Sequence, residues 1–329
     1  MRFAPVRATI PLDAAGVHHG HLKLLVGSAT TAAAQVMIPI TVISNGTGPT
    51  ALLTGAIHGD EHEGPAALQH LAATLDPAAI TGRVIILPML NQPAFAQGLY
   101  LSPIDGADMD RNFPGRADGT VTQKICHYLS TVLVPLADVV LDFHSGSQTL
   151  DFVPFAAAHI LEDAAQHDAC MAAAQAFGAP YTLRMLKIDN LGMFHTEVEG
   201  QGKVFVSARL GRGRRASARS TATAHRGIRN LLIHAGILQQ AAQPAAGRVL
   251  DMPDAECFVF ARHAGLVEYL FDPGDRVEAG ETLARIWPDA RSGADPALCR
   301  AERGGILAAR HRSGLIKVGD VAALIAKAL

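Results

Sequence analysis

The chain has 329 residues, of which 49% are hydrophobic and 18% charged, and its formal net charge is −2. This balance excludes an intrinsically disordered chain and leaves enough apolar material for one large domain or two smaller ones. A net charge so close to zero also argues against a protein that binds nucleic acid over its whole surface.

The first residues and the cysteines predict a protein of the cytoplasm with no membrane partner. No apolar run reaches the length of a membrane span, and residues 1–11 lack the apolar core of a signal peptide. The four cysteines are widely spaced, without a Cys-x-x-Cys pair: Cys126, Cys170, Cys257 and Cys299. We therefore expect incidental thiols in a reducing compartment, not disulfides or a zinc–cysteine site.

Strand-like and helix-like segments alternate through the first part of the chain. The strand-like runs are residues 50–57, 83–90, 138–143 and 203–207, and the helix-like runs are 63–75, 120–136, 164–177 and 222–238. Such alternation predicts an α/β domain with a mainly parallel or mixed sheet, which we assign to residues 1–240. Open sheets of this kind place their ligands at the carboxyl ends of the strands.

A second, all-β domain is predicted over residues 248–329. The segment before it, 239–247, has no apolar periodicity and contains Pro and Gly, so it is typical of a linker. Beyond the linker, Gly-Asp turns separate short apolar strands in a weak internal repeat, and the region resembles a biotinyl/lipoyl-like half-barrel. No Lys is centred on a hairpin, which favours a role in packing, oligomerisation or covering an active site.

Two apolar runs end in residues that can bind a metal. His58 and Glu61 follow the run that ends at Ile57, and His144 closes the run that begins at Val139. Two histidines and one carboxylate are the ligands of catalytic zinc, because they leave a coordination position open for water. On a strand, Asp142 would face the same side as His144, where its carboxylate can hold the ligand imidazole in one tautomer.

The motifs, taken in order, resemble those of the succinylglutamate desuccinylase/aspartoacylase family. They are the stretch from His58 to Glu61, the stretch Asp108-Met-Asp-Arg-Asn-Phe-Pro-Gly115, and Asp142-Phe-His144. The resemblance covers nearly the whole chain and is strongest to the branch that deacetylates N-acetyl-2,4-diaminobutyrate in ectoine breakdown. It implies a zinc-carboxypeptidase-like mixed sheet flanked by helices, one Zn²⁺ per chain, and a small N-acyl amino acid as substrate.

The same resemblance assigns two residues to the substrate's carboxylate. Arg111 occupies the family's substrate-carboxylate position, and an arginine fork matches a carboxylate with two parallel hydrogen bonds. Asp110 stands where the family usually has Asn. The alternative is that Asp110 and Arg111 form a plain surface ion pair.

Two departures from the family concern the chemistry itself. Arg209 falls on the position of the family's catalytic Glu, and a guanidinium cannot act as a general base. Tyr100 falls where the diaminobutyrate branch has an Arg suited to the oxyanion, so only an uncharged hydroxyl donor is left there. The carboxylates Glu63 and Asp60 flank the expected metal ligands and are our candidates to replace the missing base.

Two further clusters have a less specific meaning. The segment that begins at Arg209 and ends at Arg219 contains five arginines. Arg209 and Arg212 would make the pocket favour an anionic ligand. We interpret the other three as part of a solvated basic loop. His18, His19 and His21 precede an apolar run, and we interpret them as an exposed turn before a strand.

The sequence therefore predicts a zinc-dependent deacylase acting on a small N-acyl amino acid, with no nucleic-acid partner. Two other classes of protein stay open: a catalytically impaired family member that binds a small anionic metabolite, and a metal-free binding module. Assembly into a homo-oligomer also stays open, because no repeat or heptad indicates a number of subunits.

Overall fold

The computed structural model describes residues 5–28, 31–187, 191–211, 215–243 and 247–329. Within these ranges the helices are α1 (Glu63–Thr74), α2 (Gln92–Phe95), α3 (Val121–Tyr128), α4 (Val134–Leu136), α5 (Ala164–Phe177), α6 (Phe194–Gly200) and α7 (Ala218–His234). The strands up to the linker are β1 (Val6–Ala8), β2 (Gly16–Ser28), β3 (Thr31–Asn45), β4 (Thr50–Gly55), β5 (Gly82–Leu87), β6 (Val139–His144), β7 (Leu150–Phe152), β8 (Phe155–His159), β9 (Tyr181–Met185) and β10 (Val204–Arg209). Those beyond it are β11 (Arg248–Asp251), β12 (Phe258–Phe260), β13 (Gly265–Tyr269), β14 (Arg276–Val277), β15 (Thr282–Trp287), β16 (Ala297–Arg300), β17 (Gly305–His311), β18 (Leu315–Ile316) and β19 (Val321–Ala328).

A large mixed sheet forms the centre of the molecule. Its main path runs β1-β2-β3-β5-β4-β6-β10-β8-β9-β11-β19-β17-β14, and strands β5, β4, β6 and β10 lie parallel to one another. A separate antiparallel sheet, β16-β15-β13-β18, lies in the C-terminal region. The predicted fold class, a mixed sheet with flanking helices and a C-terminal β region, is confirmed.

Strand β6 shows why helices cover both faces of this sheet. Its side chains alternate, so Leu141 and Phe143 pack into one buried cluster and Val140 into another. The first cluster also contains residues of α1, α5 and α7, and the second contains residues of α3. Because both faces are buried, β6 is apolar almost throughout, as expected of a central parallel strand.

Gly64 brings helix α1 close to strand β6. A Cβ atom at this position would lie 2.2 Å from the Cβ of Phe143, which no real packing allows. The missing side chain lets the start of α1 approach the end of β6, and Glu61 and His144 lie at these two ends. Glycine here therefore serves the geometry of the site as well as the core.

The C-terminal strands continue the central sheet. Strand β11 pairs in parallel with β9, β19 pairs with β11, and β17 pairs with β7. Side chains from both sides of the linker share one buried cluster, among them Phe155, Leu183, Leu250 and Leu324. The predicted Gly-Asp turns are present, with Gly274 and Gly319 at positive φ values of 103° and 89°.

Some predicted boundaries and one predicted turn are wrong. Helix α7 begins at Ala218 because the hydroxyl of Ser217 caps the helix by accepting a hydrogen bond from the backbone N–H of Ser220. The single helix expected over 120–136 is interrupted by a π-helical turn, Leu129–Leu133. The His18–His21 segment lies inside the long strand β2 and not in a turn, since its pairing with β3 begins at Gly16.

Candidate functional site

Three buried side chains meet at the carboxyl edge of the parallel strands. His58, Glu61 and His144 are 4%, 3% and 5% exposed, and each offers one ligand atom to a group in which all these atoms lie within 4.8 Å of one another. The Nδ1 atoms of the two imidazoles lie 3.3 Å and 3.4 Å from the carboxylate oxygens of Glu61. We call this group the 58/61/144 cluster.

Backbone contacts pin the segment that carries His58. The amides of Leu90 and Asn91 donate to the carbonyls of Gly55 and Ala56, and the side-chain amide of Asn91 donates to the Ile57 carbonyl. At Gly59 a Cβ atom would lie 2.1 Å from the backbone of Ala94. The chain can therefore leave strand β4 in this conformation only with glycine at that position.

A carboxylate contacts the Nε2 atom of each imidazole, on the side of the ring opposite Glu61. His144 Nε2 lies 2.7 Å from Asp142, which also accepts a 2.6 Å hydrogen bond from the hydroxyl of Thr54. His58 Nε2 lies 3.1 Å from Asp108 Oδ1. When both Nε2 atoms carry the proton toward a carboxylate, both Nδ1 lone pairs point into the cluster.

The cluster fits a metal cation. His58 Nδ1, His144 Nδ1 and Glu61 Oε2 are buried and lack a hydrogen-bond partner among the described residues. Three buried acceptors without partners are costly, and a cation between them would satisfy all three. Imidazole nitrogen and carboxylate oxygen are donors that zinc binds.

Without such a cation the cluster would take up protons. Burial disfavours charge on His58, but Asp108 and Glu61 outweigh it and raise the pKa of His58 to about 9. Burial also opposes charge on His144, yet Asp142 raises the pKa of His144 to about 10. Burial alone would raise the pKa of Glu61, but the neighbouring imidazoles of His144 and His58 lower the pKa to about 2.

Two cavities open beside the 58/61/144 cluster. The larger, about 340 Å³, is lined by His58 and Glu61, and the smaller, about 140 Å³, by His144 and Asp142. Both are also lined by a shared wall of five residues: Asp110, Met185, Met193, Arg209 and Phe258. Asp110 and Arg209 are therefore the charged side chains that both cavities share.

Tyr100 covers His58. The two rings stack with centroids 3.9 Å apart and 10° between their planes, and the Tyr100 hydroxyl donates to Asp108 at 3.5 Å. Burial, together with the negative charge of Asp108, raises the pKa of Tyr100 above its usual range. The hydroxyl therefore remains a hydrogen-bond donor at neutral pH.

Arg111 and Asp110 are neighbours in sequence but face different surroundings. The Arg111 side chain is 51% exposed, with its Nε 3.7 Å from Asp108, whereas Asp110 is 6% exposed. Asp110 Oδ1 accepts a hydrogen bond from the backbone N–H of Phe194 at 3.2 Å, and burial raises the pKa of Asp110. Because Asp110 is buried, the two residues do not form the plain surface ion pair that the sequence left open.

Arg209 lies beside the cluster. It pairs in register with His144 across strands β10 and β6, and its guanidinium lies over the ring of Phe152, 5.5 Å from the centroid. Its charge opposes protonation of His144. Arg212, the second arginine of the anion hypothesis, lies outside the described residues.

The two candidate replacement bases have other surroundings. Glu63 opens helix α1 and lines a separate cavity of about 590 Å³ with Gly211, Arg215 and Arg219. Asp60 is fully buried and accepts a hydrogen bond from the hydroxyl of Ser147. Neither Glu63 nor Asp60 lines either of the two cavities beside the cluster.

Sequence reasoning missed two parts of the site. It gave Asp108 no role, although this residue bridges His58, Tyr100 and Arg111, and only the short spacing to Arg111 pointed to it. It also missed a second group of two histidines and one glutamate, in which His159 at the end of β8 meets His195 and Glu199 of helix α6. Here Glu199 lies 2.8 Å from His159 and 2.7 Å from Lys187.

Comparison with known proteins identifies relatives over the whole chain. Residues 47–235 match the succinylglutamate desuccinylase/aspartoacylase catalytic domain. The chain is 48% identical over 328 residues to the N-alpha-acetyl-L-2,4-diaminobutyric acid deacetylase of Halomonas elongata, covering 99% of this chain and 96% of that one.

Solved structures also match this chain over almost its whole length. The product-bound structure of the ectoine utilization protein EutE (DoeB) from Ruegeria pomeroyi superposes with a TM-score of 0.96 at 53% identity, over 99% of this chain and 100% of that one. A succinylglutamate desuccinylase from Silicibacter sp. TM1040 gives a TM-score of 0.96 at 54% identity, over the full length of both chains. In the described part of the chain no helix has the length and apolarity needed to cross a bilayer. By the extent of these matches, the chain belongs to the succinylglutamate desuccinylase/aspartoacylase family.

Proposed function

We propose that the chain is a zinc-dependent amidohydrolase that removes the acyl group from a small N-acyl amino acid. The observation that carries the proposal is the 58/61/144 cluster, with three unpartnered buried ligand atoms facing two small cavities. The deacetylase of Halomonas elongata makes N-acetyl-2,4-diaminobutyrate the first substrate to test.

In this proposal His58, Glu61 and His144 hold the zinc. When bound there, the ion would supply Lewis-acid chemistry: it would polarise the acyl carbonyl and lower the pKa of a water. Asp142 and Asp108 keep the two imidazoles oriented through their Nε2 atoms. The ring of Tyr100 excludes water from that side of His58, and its hydroxyl would exchange its contact with Asp108 for one with the reacting carbonyl.

The substrate's charged ends meet arginines in this arrangement. Arg111, half exposed at the rim of the larger cavity, binds the free carboxylate. Arg209, on the wall shared by both cavities, adds a second positive charge close to the acyl group. Two cations around one small pocket favour a substrate that carries a carboxylate over an uncharged amide.

A second function is favoured by Arg209 itself. A guanidinium at the position of the family's catalytic Glu supports a protein that keeps the metal and binds a small anionic metabolite without cleaving it. The two functions differ in turnover and not in metal content.

The deciding experiment measures acetate release from N-acetyl-2,4-diaminobutyrate by the zinc-loaded protein, with Arg209→Glu beside it and Arg219→Glu as a matched exposed control. Turnover by the natural protein that a chelator abolishes supports the deacylase. Turnover only in Arg209→Glu supports the metabolite-binding protein. If neither the natural protein nor either variant releases acetate, the deacylase assignment for this substrate is contradicted.

A further inference from the structure

The wall between the two cavities carries one buried carboxylate, Asp110. It is 6% exposed and lines the larger cavity with His58 and Glu61 and the smaller one with His144 and Asp142. Among the described carboxylates, Asp110 is the one that lines both cavities beside the 58/61/144 cluster.

Asp108 ties Asp110 to the cluster. The same oxygen, Asp108 Oδ1, lies 3.1 Å from His58 Nε2 and accepts a 3.1 Å hydrogen bond from the backbone N–H of Asp110. On the other side, Phe194 N–H fixes Asp110 Oδ1. Asp110 is therefore held by two backbone contacts, one of which leads directly to a cluster histidine.

The other carboxylates near the cluster are already engaged. Asp142 contacts His144 and Thr54, and Asp108 contacts His58 and Tyr100. Asp60 accepts from Ser147, and the last two face elsewhere: Glu199 contacts Lys187, and Glu63 lines the separate cavity. Asp110 differs because its side-chain hydrogen bond within the described residues comes from a backbone amide.

We propose that Asp110 is the general base of the deacylation, an inference that rests on the proposed function. One O–H bond of the attacking water breaks and its proton passes to Asp110, while the water oxygen forms a bond to the acyl carbon. The carbon–nitrogen bond then breaks, and Asp110 returns the proton to the departing nitrogen. The products are a free carboxylic acid and the amine of the amino acid, so atoms and charge balance.

The role of general base can be distinguished from that of a carboxylate that only binds a positive charge of the substrate. The first substrate to test, N-acetyl-2,4-diaminobutyrate, carries a distal ammonium, and a buried carboxylate could instead bind that cation. A base acts on any N-acyl amino acid, whereas an ammonium receptor acts only on diamino acids. Comparing N-acetyl-2,4-diaminobutyrate with an N-acetyl monoamino acid therefore separates the two roles.

The test uses the zinc-loaded full chain with Asp110→Asn, Asp110→Gly and the exposed control Asp118→Asn. Asparagine keeps an oxygen for Phe194 N–H, so the fold should be retained. We expect Asp110→Asn to lower kcat by about 10²–10⁴-fold on both substrates, with zinc content and the Kd for 2,4-diaminobutyrate unchanged. Formate should restore part of the activity of Asp110→Gly by supplying the missing carboxylate.

Several outcomes would overturn the inference. If the natural protein turns over and Asp110→Asn retains its kcat, Asp110 is not the base, although the proposed function stands. A loss confined to the diamino substrate, or a loss of product binding, would assign Asp110 to the ammonium. No turnover by the natural protein on either substrate would overturn both proposals together.

Discussion

The described part of the chain contains two groups of two histidines and one glutamate, and they differ in what surrounds the glutamate. In the 58/61/144 cluster both Nδ1 atoms and Glu61 Oε2 face one another without hydrogen-bond partners in the described structure. In the second group, which we call the 159/195/199 cluster, Glu199 lies within 2.8 Å of His159 and 2.7 Å of Lys187. The residue types are the same, but a lysine already neutralises the second carboxylate.

The orientation of the rings adds to this difference. His159 and His195 stack with centroids 4.0 Å apart and 25° between their planes, whereas the rings of His58 and His144 are 5.8 Å apart and tilted by 51°. The two groups therefore differ in ring geometry as well as in the charge beside the glutamate. Proximity of donors is not enough for a metal site, because the carboxylate must also be free of a competing cation such as Lys187.

The largest expected effect is on metal content. Glu61→Gln should reduce zinc from one ion per chain to almost none and abolish deacylase activity, because it removes a charged ligand from the cluster. Glu199→Gln is the matched change in the 159/195/199 cluster and should leave zinc content unchanged. Metal analysis after dialysis measures both, and equal zinc loss in the two variants would erase the distinction between the clusters.

The next effect concerns Lys187. Its removal by Lys187→Met leaves the carboxylate of Glu199 buried without its lysine partner, which should lower the free energy of unfolding by about 3 kcal/mol. Lys187→Met combined with Glu199→Gln should recover most of this loss. Urea unfolding with and without zinc is the measurement, and stabilisation of Lys187→Met by zinc would mean that only the lysine keeps metal out.

The smallest effect is a dependence of stability on pH. Burial and the neighbouring charges of His159 and Lys187 lower the pKa of His195 to about 2, so the folded protein keeps this ring neutral. In the unfolded chain the ring takes up a proton below about pH 6.5, so stability falls as the pH drops below that value. At one pH unit below that value, the free energy of unfolding is lower by about 1.4 kcal/mol.

His195→Gln should flatten this part of the stability curve. Unfolding midpoints of the zinc-loaded protein at pH 7 and pH 5.5 measure it, with the exposed His263→Gln as control. Equal slopes in the natural protein and His195→Gln would show that the ring is already protonated in the folded state, contrary to the expectation.

Local patterns were enough to predict much of the fold. The helix over 164–177 matches α5 because Asp163 caps its start and Gly178, at a positive φ of 74°, ends it. The Gly-Asp turns of the C-terminal region were equally visible. The pairing of β7 with β17 was not, since nothing in a three-residue strand indicates a partner more than 150 residues away.

The candidate site shows the same limit. His58 and Glu61 lie three residues apart, and Asp142 precedes His144 by two, so spacing alone suggested that each pair acts together. The contact from His58 to Asp108 spans 50 residues, and the burial of Asp110 follows from the docking of α6 above it. Both depend on tertiary packing, which no short motif encodes.

The wall of the larger cavity has a consequence for recombination between relatives. Met252, Phe258 and Leu324, all from beyond the linker, line this cavity together with His58 and Tyr100. A chimera joined at the linker would therefore exchange part of the pocket along with the C-terminal region. Its substrate preference would depend on both parents. A crossover that takes these three side chains from the same parent as His58 and Tyr100 would be the safer design.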